Sequence, residues 1–318
     1  KLISKLRHFF KLIRYPNLLV ILFTMYFIKY FLLNPLLETQ GLDSQVNDFY
    51  FFLLVLSCLF IAAGGYIIND IFDRNIDRIN KPEKIIVGEK ISIRTAENIY
   101  IVLNLVSITI GVYLSYSLNL RSLSLIFPII AGILYFYSST YKSQVLIGNI
   151  IVAVLSAFVP LTIALFELPL LKRKYDIFIQ YGNLNFNNII YWFFFYSAFA
   201  FLLSFFREII KDIEDFEGDT AYGKNTLPVV RGTTFAKVVC LIILGITIFL
   251  LLFLIVNYLN DPISFVYLIS FVVLPLVYVV YILIRAKVKD DYHKISKYTK
   301  IVMLTGLGYI IIVKALLL

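Results

Sequence analysis

The stretch "FYFFLLVLSCLFIAAGGYIINDIFDRNID" (residues 49–77) joins a long apolar run directly to a cluster of acids. Residues 49–68 are nearly all apolar, and a helix needs about 20 such residues to cross a lipid bilayer. Residues 69–77 then contain three aspartates, two asparagines and an arginine. Because clustered carboxylates are costly beside hydrocarbon unless a cation compensates them, this junction indicates a functional site at the membrane boundary.

The composition of the whole chain excludes a water-soluble globular protein. Of its 318 residues 60% are hydrophobic, against about 45–50% in soluble domains. Lipid offers no hydrogen-bonding partner to an open strand edge, so we expect an all-α, polytopic membrane protein with a single domain over residues 1–318. Nine spanning helices are predicted near residues 17–37, 49–68, 98–118, 121–140, 145–168, 187–207, 235–256, 262–284 and 299–317.

The basic residues predict the orientation of these helices. With a cytoplasmic N-terminus, the inner segments collect most of the 29 basic residues, and the cluster 172–174 is the exception. We therefore expect a plasma-membrane protein whose N-terminus and aspartate-rich loops face the cytoplasm. Residues 1–17 are basic and amphipathic rather than a cleavable signal peptide, and a start at Lys1 suggests a trimmed or incomplete N-terminus. Anionic lipid headgroups account for the net charge of +9 without any nucleic acid.

A second aspartate set repeats the spacing of the first. Asp70, Asp73 and Asp77 have offsets 0, 3 and 7, and so do the three aspartates of "KDIEDFEGD" (211–219). At about 100° per residue these offsets bring three carboxylates to one helix face. Identical spacing after two predicted membrane helices indicates an internal repeat. Just before the first set, Gly64 and Gly65 would let a neighbouring helix pack closely.

The two acidic sets are candidate metal ligands. Clustered carboxylates with an incomplete cage suit Mg²⁺, which keeps several waters and takes further ligands from substrate phosphates. Two such faces predict a site for two or more Mg²⁺ ions and a diphosphate. The predicted metal ligands are Asp70, Asp73, Asp77, Asp212, Asp215 and Asp219.

Basic and polar residues near both sets are candidates for substrate contacts. A base at the end of an apolar helix, such as Arg207, is expensive without an anionic partner. Lys142 either binds phosphate or anchors a helix, and Tyr137 either donates a hydrogen bond or belongs to the interfacial aromatic belt. The candidate catalytic residues are Lys142, Arg207, Lys211 and Tyr137. The candidate substrate-binding residues are Asn69, Arg74, Lys224, Arg14 and Asn17. An acceptor with its own phosphate needs further bases, for which the candidates are Arg14, Lys81, Lys84, Lys224 and Arg231.

These motifs resemble those of one known family. "NDIFDRNID" (69–77) resembles the first aspartate motif, NDxxDxxxD, of the UbiA superfamily of intramembrane prenyltransferases. The second set resembles that family's other aspartate motif, and "YSSTYKSQVLIGN" (137–149) is similar to its Tyr/Lys region after the fourth helix. The resemblance implies that the aspartates hold Mg²⁺, that the ions hold the diphosphate of a prenyl donor, and that membrane lipids surround the site.

The second block also resembles one branch of that family. "REIIKDIEDFEGD" (207–219), followed by "GKNTLP" (223–228), is most similar to the branch that makes archaeal-type ether lipids. The resemblance implies transfer of a geranylgeranyl group to a prenylglyceryl phosphate lipid. "NKPEK" (80–84) and the outer loop 171–188 depart from the common patterns, so an aromatic quinone precursor remains the alternative acceptor.

Two other classes of function fit the sequence less well. A cation transporter usually places its carboxylates near the bilayer midplane on broken helices, whereas these acids cluster at one membrane face. A non-catalytic lipid-binding or scaffold subunit would not need the metal site, yet all six aspartates are intact.

Overall fold

The structure is a computed structural model that describes residues 2–180, 184–259 and 261–317, without the side chains of residues 2–5 and 84. Within these ranges every regular element is helical, apart from one isolated β-bridge between Val87 and Ile91. In chain order the helices are α1 (Leu2–Leu12), α2 (Tyr15–Glu38, π-helical at Ile28–Leu33), α3 (Asp48–Asn80), α4 (Ile93–Ser117), α5 (Arg121–Ser139), α6 (Ile147–Lys174), α7 (Asp176–Gln180), α8 (Asn187–Glu214), α9 (Phe216–Ala221), α10 (Leu227–Arg231), α11 (Thr233–Tyr258), α12 (Pro262–Arg285, π-helical at Ile269–Val273) and α13 (Lys289–Leu317).

Helices of membrane-spanning length dominate the described part of the chain. Nine of them are long and apolar enough to cross a bilayer, namely α2, α3, α4, α5, α6, α8, α11, α12 and α13. The predicted all-α polytopic fold is therefore confirmed, and the chain is a multi-pass membrane protein.

Two boundaries differ from the sequence-based expectation. Helix α3 extends to Asn80, so the first aspartate set lies on the spanning helix itself and the prediction of a loop there was wrong. Helix α6 extends to Lys174, and the basic cluster 172–174 forms its last turn rather than part of a loop. Cations in that position favourably compensate the negative end of the helix dipole.

The described residues form two compact units. The first is drawn from the ranges Lys1–Met25, Ser44–Lys142 and Thr162–Asn185. The second is drawn from Tyr26–Asp43, Ser143–Leu161 and Phe186–Leu318. The first aspartate set belongs to the first unit and the second set to the second unit. That the whole chain acts as one domain stays a prediction.

Helix α3 is the centre of the first unit, with α4 and α5 packed against it. A Cβ atom on Gly64 would lie 2.6 Å from the side-chain nitrogen of Asn104 on α4, and one on Gly65 would lie 3.0 Å from Leu134 on α5. These two glycines therefore allow the close approach that the sequence predicted. Ser57 and Ser107 add a reciprocal pair of hydrogen bonds, each hydroxyl donating to the other residue's carbonyl at 2.8 Å.

A fully buried carboxylate fixes the other end of α3. Glu167 on α6 accepts hydrogen bonds from the Ser44 hydroxyl at 3.0 Å, from the backbone N–H of Val46 at 3.2 Å and from that of Gln45. Asn47 then caps α3, since its side-chain oxygen accepts the N–H of Tyr50 at 2.9 Å. Helix α3 is thereby anchored at the end opposite its aspartates.

The second unit is organised around α8, which packs against α11 and α13. Hydrogen bonds from tyrosine hydroxyls join α12 to α13: Tyr267 donates to the carbonyl of Thr305 at 2.9 Å, and Tyr309 donates to Ser264 at 2.7 Å. Satisfying polar groups inside the helical bundle in this way holds α12 against α13, and α13 in turn packs against α8.

The contact between α4 and α5 gives a test of this packing. A Cβ atom on Gly111 would lie 2.0 Å from the buried ring of Phe127. Gly111→Ala should therefore lower the free energy of unfolding by about 1–3 kcal/mol through overpacking. Gly132→Ala is the matched control, because open space surrounds that glycine on α5. Thermal unfolding of both variants in detergent measures the difference, and equal melting temperatures for the two would refute the packing argument.

Candidate active site

The first aspartate set lies on the last turns of α3, where the helix continues beyond Asp77. Asp73 is buried, and Asp70 and Asp77 are half-buried. The continuous helix keeps the three carboxylates on one face, as their spacing predicts. Within the described ranges no three His, Cys, Asp or Glu side chains form a group that could hold a metal ion. Basic side chains meet two of the carboxylates instead.

Arg14 compensates Asp70 from the junction between α1 and α2. Its Nη2 atom donates to Oδ1 of Asp70 at 2.6 Å, and its guanidinium stacks 5.2 Å from the ring centre of Tyr66. Burial by itself would lower the pKa of Arg14, but the nearby Asp70 outweighs burial and raises it. Arg14 therefore stays charged and ties the N-terminal segment to α3.

Lys142 compensates Asp73 from the 3₁₀ turn after α5. Its ammonium donates to Oδ2 of Asp73 and, at 3.0 Å, to the side-chain oxygen of Asn69. The amide nitrogen of Asn69 donates to the same Asp73 oxygen at 2.8 Å. Burial alone would lower the pKa of Lys142, yet Asp73 and Tyr137 raise it. The turn therefore contributes a fixed positive charge, which favours a role in the site over that of a topology anchor.

The second aspartate set lies across a break between two helices. Asp212 ends the helical part of the set on α8, Asp215 adopts φ −95° and ψ 10°, and Asp219 lies on α9. The backbone N–H of Asp215 still bonds to Lys211 at 2.8 Å, and that of Asp219 bonds to Asp215 at 3.0 Å. The regular helix is interrupted at Asp215, so the expectation that all three acids lie on one uninterrupted helix was wrong for this set.

Each end of the second set has a defined partner. Asn149, near the start of α6, donates from its side-chain nitrogen to Oδ2 of Asp212 at 2.7 Å. Lys224 places its ammonium 3.6 Å from Oδ1 of Asp219, and its backbone N–H donates to the Asp219 carbonyl at 2.9 Å. Asp219 is buried. These contacts hold two carboxylates in place on either side of the interruption.

The chemistry of the two sets fits magnesium. All six candidate ligands are carboxylates, the hard oxygen donors that Mg²⁺ prefers. Asp215 has other interactions, but its Oδ1 atom is buried and receives no hydrogen bond in the part of the chain that the structure describes. A buried carboxylate oxygen in that condition is costly unless a cation or another donor reaches it.

The structure also gives contacts for the remaining candidates from the sequence. Tyr137 interacts electrostatically with the Lys142 ammonium, and the ammonium of Lys211 donates to a carboxylate oxygen of Glu208 at 2.5 Å. Arg207 donates from Nε to the Ser296 hydroxyl at 3.1 Å. Arg74 is half-buried against Gly88, and the backbone of Asn17 bonds to Arg14 at 2.8 Å.

The predicted bases for a phosphorylated acceptor are placed unequally. Arg14 and Lys224 already meet carboxylates of the two sets. Lys81 is half-buried and Arg231 is exposed. The side chain of Lys84 lies outside the described residues.

Sequence reasoning missed one contact of the second set and one contact of its neighbour Glu214. Asn149 is buried in the first turn of an apolar helix. Its polarity among apolar neighbours was the one sequence feature that could have marked it as a site residue. His293 on α13 lies 3.1 Å from the carboxylate of Glu214, which adjoins Asp215. No local pattern connects residues that are 79 positions apart.

Comparison with known proteins places the chain among prenyltransferases. The profile of the UbiA prenyltransferase family matches residues 36–301. A digeranylgeranylglyceryl phosphate synthase of Methanosphaera stadtmanae is 36% identical over 258 residues, covering 80% of this chain and 85% of that protein.

Solved structures share the fold. That of a digeranylgeranylglyceryl phosphate synthase in membranes superposes with a TM-score of 0.61 at 23% identity, covering 96% of this chain and 99% of that one. That of a UbiA homologue from Archaeoglobus fulgidus bound to DMAPP and Mg²⁺ gives 0.56 at 16% identity, covering 95% and 98%. From its profile match, its sequence relatives and its fold, the chain belongs to the UbiA prenyltransferase family.

Proposed function

We propose that the chain is a Mg²⁺-dependent intramembrane prenyltransferase. It transfers a prenyl group, for which we expect geranylgeranyl, from a prenyl diphosphate to a prenylglyceryl phosphate lipid. The observation that carries this proposal is the ordered array of carboxylates and bases around Asp73, in which Asn69 and Lys142 converge on one buried acid. The relative from Methanosphaera stadtmanae supports the choice of acceptor.

The proposed reaction forms an ether and releases inorganic diphosphate. The bond between C1 of the prenyl group and the diphosphate oxygen breaks, and the acceptor's hydroxyl oxygen forms a new bond to C1. The hydroxyl proton is released to the leaving diphosphate or to water, so the atoms balance. Bound Mg²⁺ would supply electrostatic stabilisation of the charge that develops on the leaving group.

Several side chains of this protein have defined tasks in that scheme. The six aspartates are the proposed Mg²⁺ ligands, and Asn149 orients Asp212 for the second set. Lys142 and Arg14 hold carboxylates of the first set, and in the substrate complex they are close enough to that set to donate to diphosphate oxygens. Apolar helices around the donor's tail exclude water from the reacting carbon.

The proposed location is the plasma membrane, with the N-terminus and both aspartate sets facing the cytoplasm. The distribution of Lys and Arg along the chain supports this orientation. Most bases lie in segments on the side of the aspartate sets, and the opposite side has the smaller cluster 172–174.

An acceptor competition tests the proposed function. Purified protein receives geranylgeranyl diphosphate, Mg²⁺ and equal amounts of a prenylglyceryl phosphate, 4-hydroxybenzoate and dihydroxynaphthoate. We expect the ether lipid to be the dominant product by mass spectrometry, because the family relative acts on this class of lipid. An aromatic product without any ether lipid would overturn the acceptor and leave the metal chemistry standing.

A substitution in the first aspartate set tests, in the same assay, whether Asp73 is a metal ligand. Asp73→Asn keeps the shape of the side chain and removes its charge, so turnover should fall more than a hundredfold, or ~2.7 kcal/mol in the barrier. Asp290→Asn is the control, since that carboxylate forms an exposed ion pair with Lys294 at 2.7 Å. If Asp73→Asn retains a tenth of the wild-type rate, Asp73 is not a metal ligand.

The hydrogen bond from Asn149 gives an independent prediction for the second set. Asn149→Ala removes the donor that orients Asp212, and the loss of such a supporting contact typically costs 10–100-fold in metal affinity or activity. We expect the Mg²⁺ concentration for half-maximal rate to rise about tenfold. Asn257→Ala, which loses only an exposed bond to the Phe253 carbonyl, should leave it unchanged. An unaltered Mg²⁺ dependence in Asn149→Ala would remove Asn149 from the site.

Cysteine labelling tests the proposed orientation. In a protein whose own Cys58 and Cys240 are replaced, single cysteines are introduced at Glu89 and at Asn119, which are exposed at opposite ends of α4. A membrane-impermeant reagent should label the Asn119→Cys protein in intact cells and the Glu89→Cys protein only after permeabilisation. The reverse pattern would place the aspartate sets outside the cell.

A further inference from the structure

Arg207 is a half-buried base in the spanning helix α8, and it has no acidic partner among the described residues. Its guanidinium donates to the Ser296 hydroxyl at 3.1 Å. Across residues 2–180, 184–259 and 261–317 the structure records no carboxylate in an ion pair with Arg207. A positive charge held in a membrane helix without a counterion is expensive, and such charges are usually functional.

A second base lies on α13 beside the residue that Arg207 contacts. Ser296 and Lys300 are four residues apart and therefore share one face of that helix. Arg207 donates to Ser296, so Lys300 lies one helical turn along the same face from that contact. Helices α8 and α13 pack directly against each other in the second unit. A base that contacts this face of α13 and a second base one turn along the same face form a candidate binding site for an anion.

The position of Arg207 along α8 separates it from Asp212, the proposed metal ligand on the same helix. Arg207 precedes Asp212 by five residues, which places it about 7.5 Å further into the span. At ~100° per residue the two side chains point about 140° apart. An anion bound at Arg207 therefore lies further into the span than Asp212 and on a different face of α8 from that carboxylate.

We propose that Arg207, Ser296 and Lys300 bind the phosphomonoester group of the lipid acceptor. Arginine offers a planar fork of donors that matches phosphate oxygens, lysine offers a compact second charge, and the serine hydroxyl holds the fork in place. The site's depth suits a phosphate attached to hydrocarbon chains. This inference rests on the proposed function and gives Arg207 a task different from donor binding.

The separation of the two anion sites has a chemical reason. A phosphomonoester close to the aspartate sets would compete with the donor's diphosphate for Mg²⁺. If basic side chains alone bind the acceptor's phosphate, the Mg²⁺ ions remain available for the donor's diphosphate. The acceptor's phosphate is then held while its hydroxyl group remains free to approach the reacting carbon.

A binding experiment without Mg²⁺ tests the site apart from catalysis. Purified protein in detergent with EDTA is titrated with a prenylglyceryl phosphate, the matching prenylglycerol, phosphatidylglycerol and inorganic phosphate. We expect the wild-type protein to bind the prenylglyceryl phosphate at least tenfold more tightly than each of the other three. Equal binding of phosphatidylglycerol or of inorganic phosphate would overturn the assignment to a phosphomonoester lipid.

Variants on α13 identify the residues responsible. Lys300→Gln should weaken binding of the prenylglyceryl phosphate about tenfold, and Lys300→Arg should restore most of it. Lys297→Gln is the matched control, because Lys297 is an exposed base on the same helix. Ser296→Ala, a smaller change, should weaken binding two- to fivefold and serves if Lys300→Gln does not fold. Binding by a folded Lys300→Gln or Ser296→Ala protein that equals Lys297→Gln would overturn the proposal.

Steady-state kinetics separate this inference from the proposed function. Lys300→Gln should raise the KM for the acceptor about tenfold and leave the KM for geranylgeranyl diphosphate unchanged. If the wild-type protein makes the ether lipid and Lys300→Gln has an unchanged acceptor KM, the phosphate site is wrong and the function stands. If the wild-type protein makes no ether lipid but binds the phosphorylated lipid through Lys300, the function fails and the site stands.

Discussion

The need to compensate carboxylates at the end of an apolar helix determines much of the first unit. Asp70 and Asp73 lie on a helix that is otherwise built for lipid, and each receives a base from a distant part of the chain. Arg14 comes from 56 positions away and Lys142 from 69. These ion pairs therefore fix the N-terminal junction and the turn after α5 against α3, in addition to setting the charge of the site. Removing either partner would leave the other charge partly buried and uncompensated, which is why such pairs constrain structure more than they add to stability.

The sequence predicted the helices and the acids well, because both signals are local. Spans of about 20 apolar residues can be counted, and three aspartates beside such a span stand out against their surroundings. The interruption at Asp215 could not be predicted in the same way. The two aspartate sets have identical spacing, yet the first lies on a continuous helix and the second is interrupted at its central residue. Spacing gives the angle between side chains only where the helix is regular, and the contacts from Asn149 and Lys224 that flank the interruption come from other segments.

The polar partners of the acids were hard to predict for a related reason. Lys142 and Arg207 were both identified as bases near aspartates, but the sequence could not distinguish a base that meets a carboxylate from one that does not. In the folded chain Lys142 contacts Asp73, and Arg207 contacts the neutral hydroxyl of Ser296. Asn149 and Lys300 were missed altogether. Asn149 is an isolated polar residue in its helix and Lys300 is one of several bases on α13, and the role of each depends on which helix packs beside it.

The distribution of charge along α8 connects these observations to chemistry. Acids occupy the end of the helix, where cations and a diphosphate can enter from water, and Arg207 lies about five residues further into the span. A helix with this order separates a site for metal ions from a site for an anion along a single axis. Because both substrates in the proposed reaction carry phosphate groups, a protein that bound them only through metal ions would gain little discrimination between them. Specificity is a difference between affinities, and in the proposed reaction it arises because each phosphate group has a counterion of a different kind.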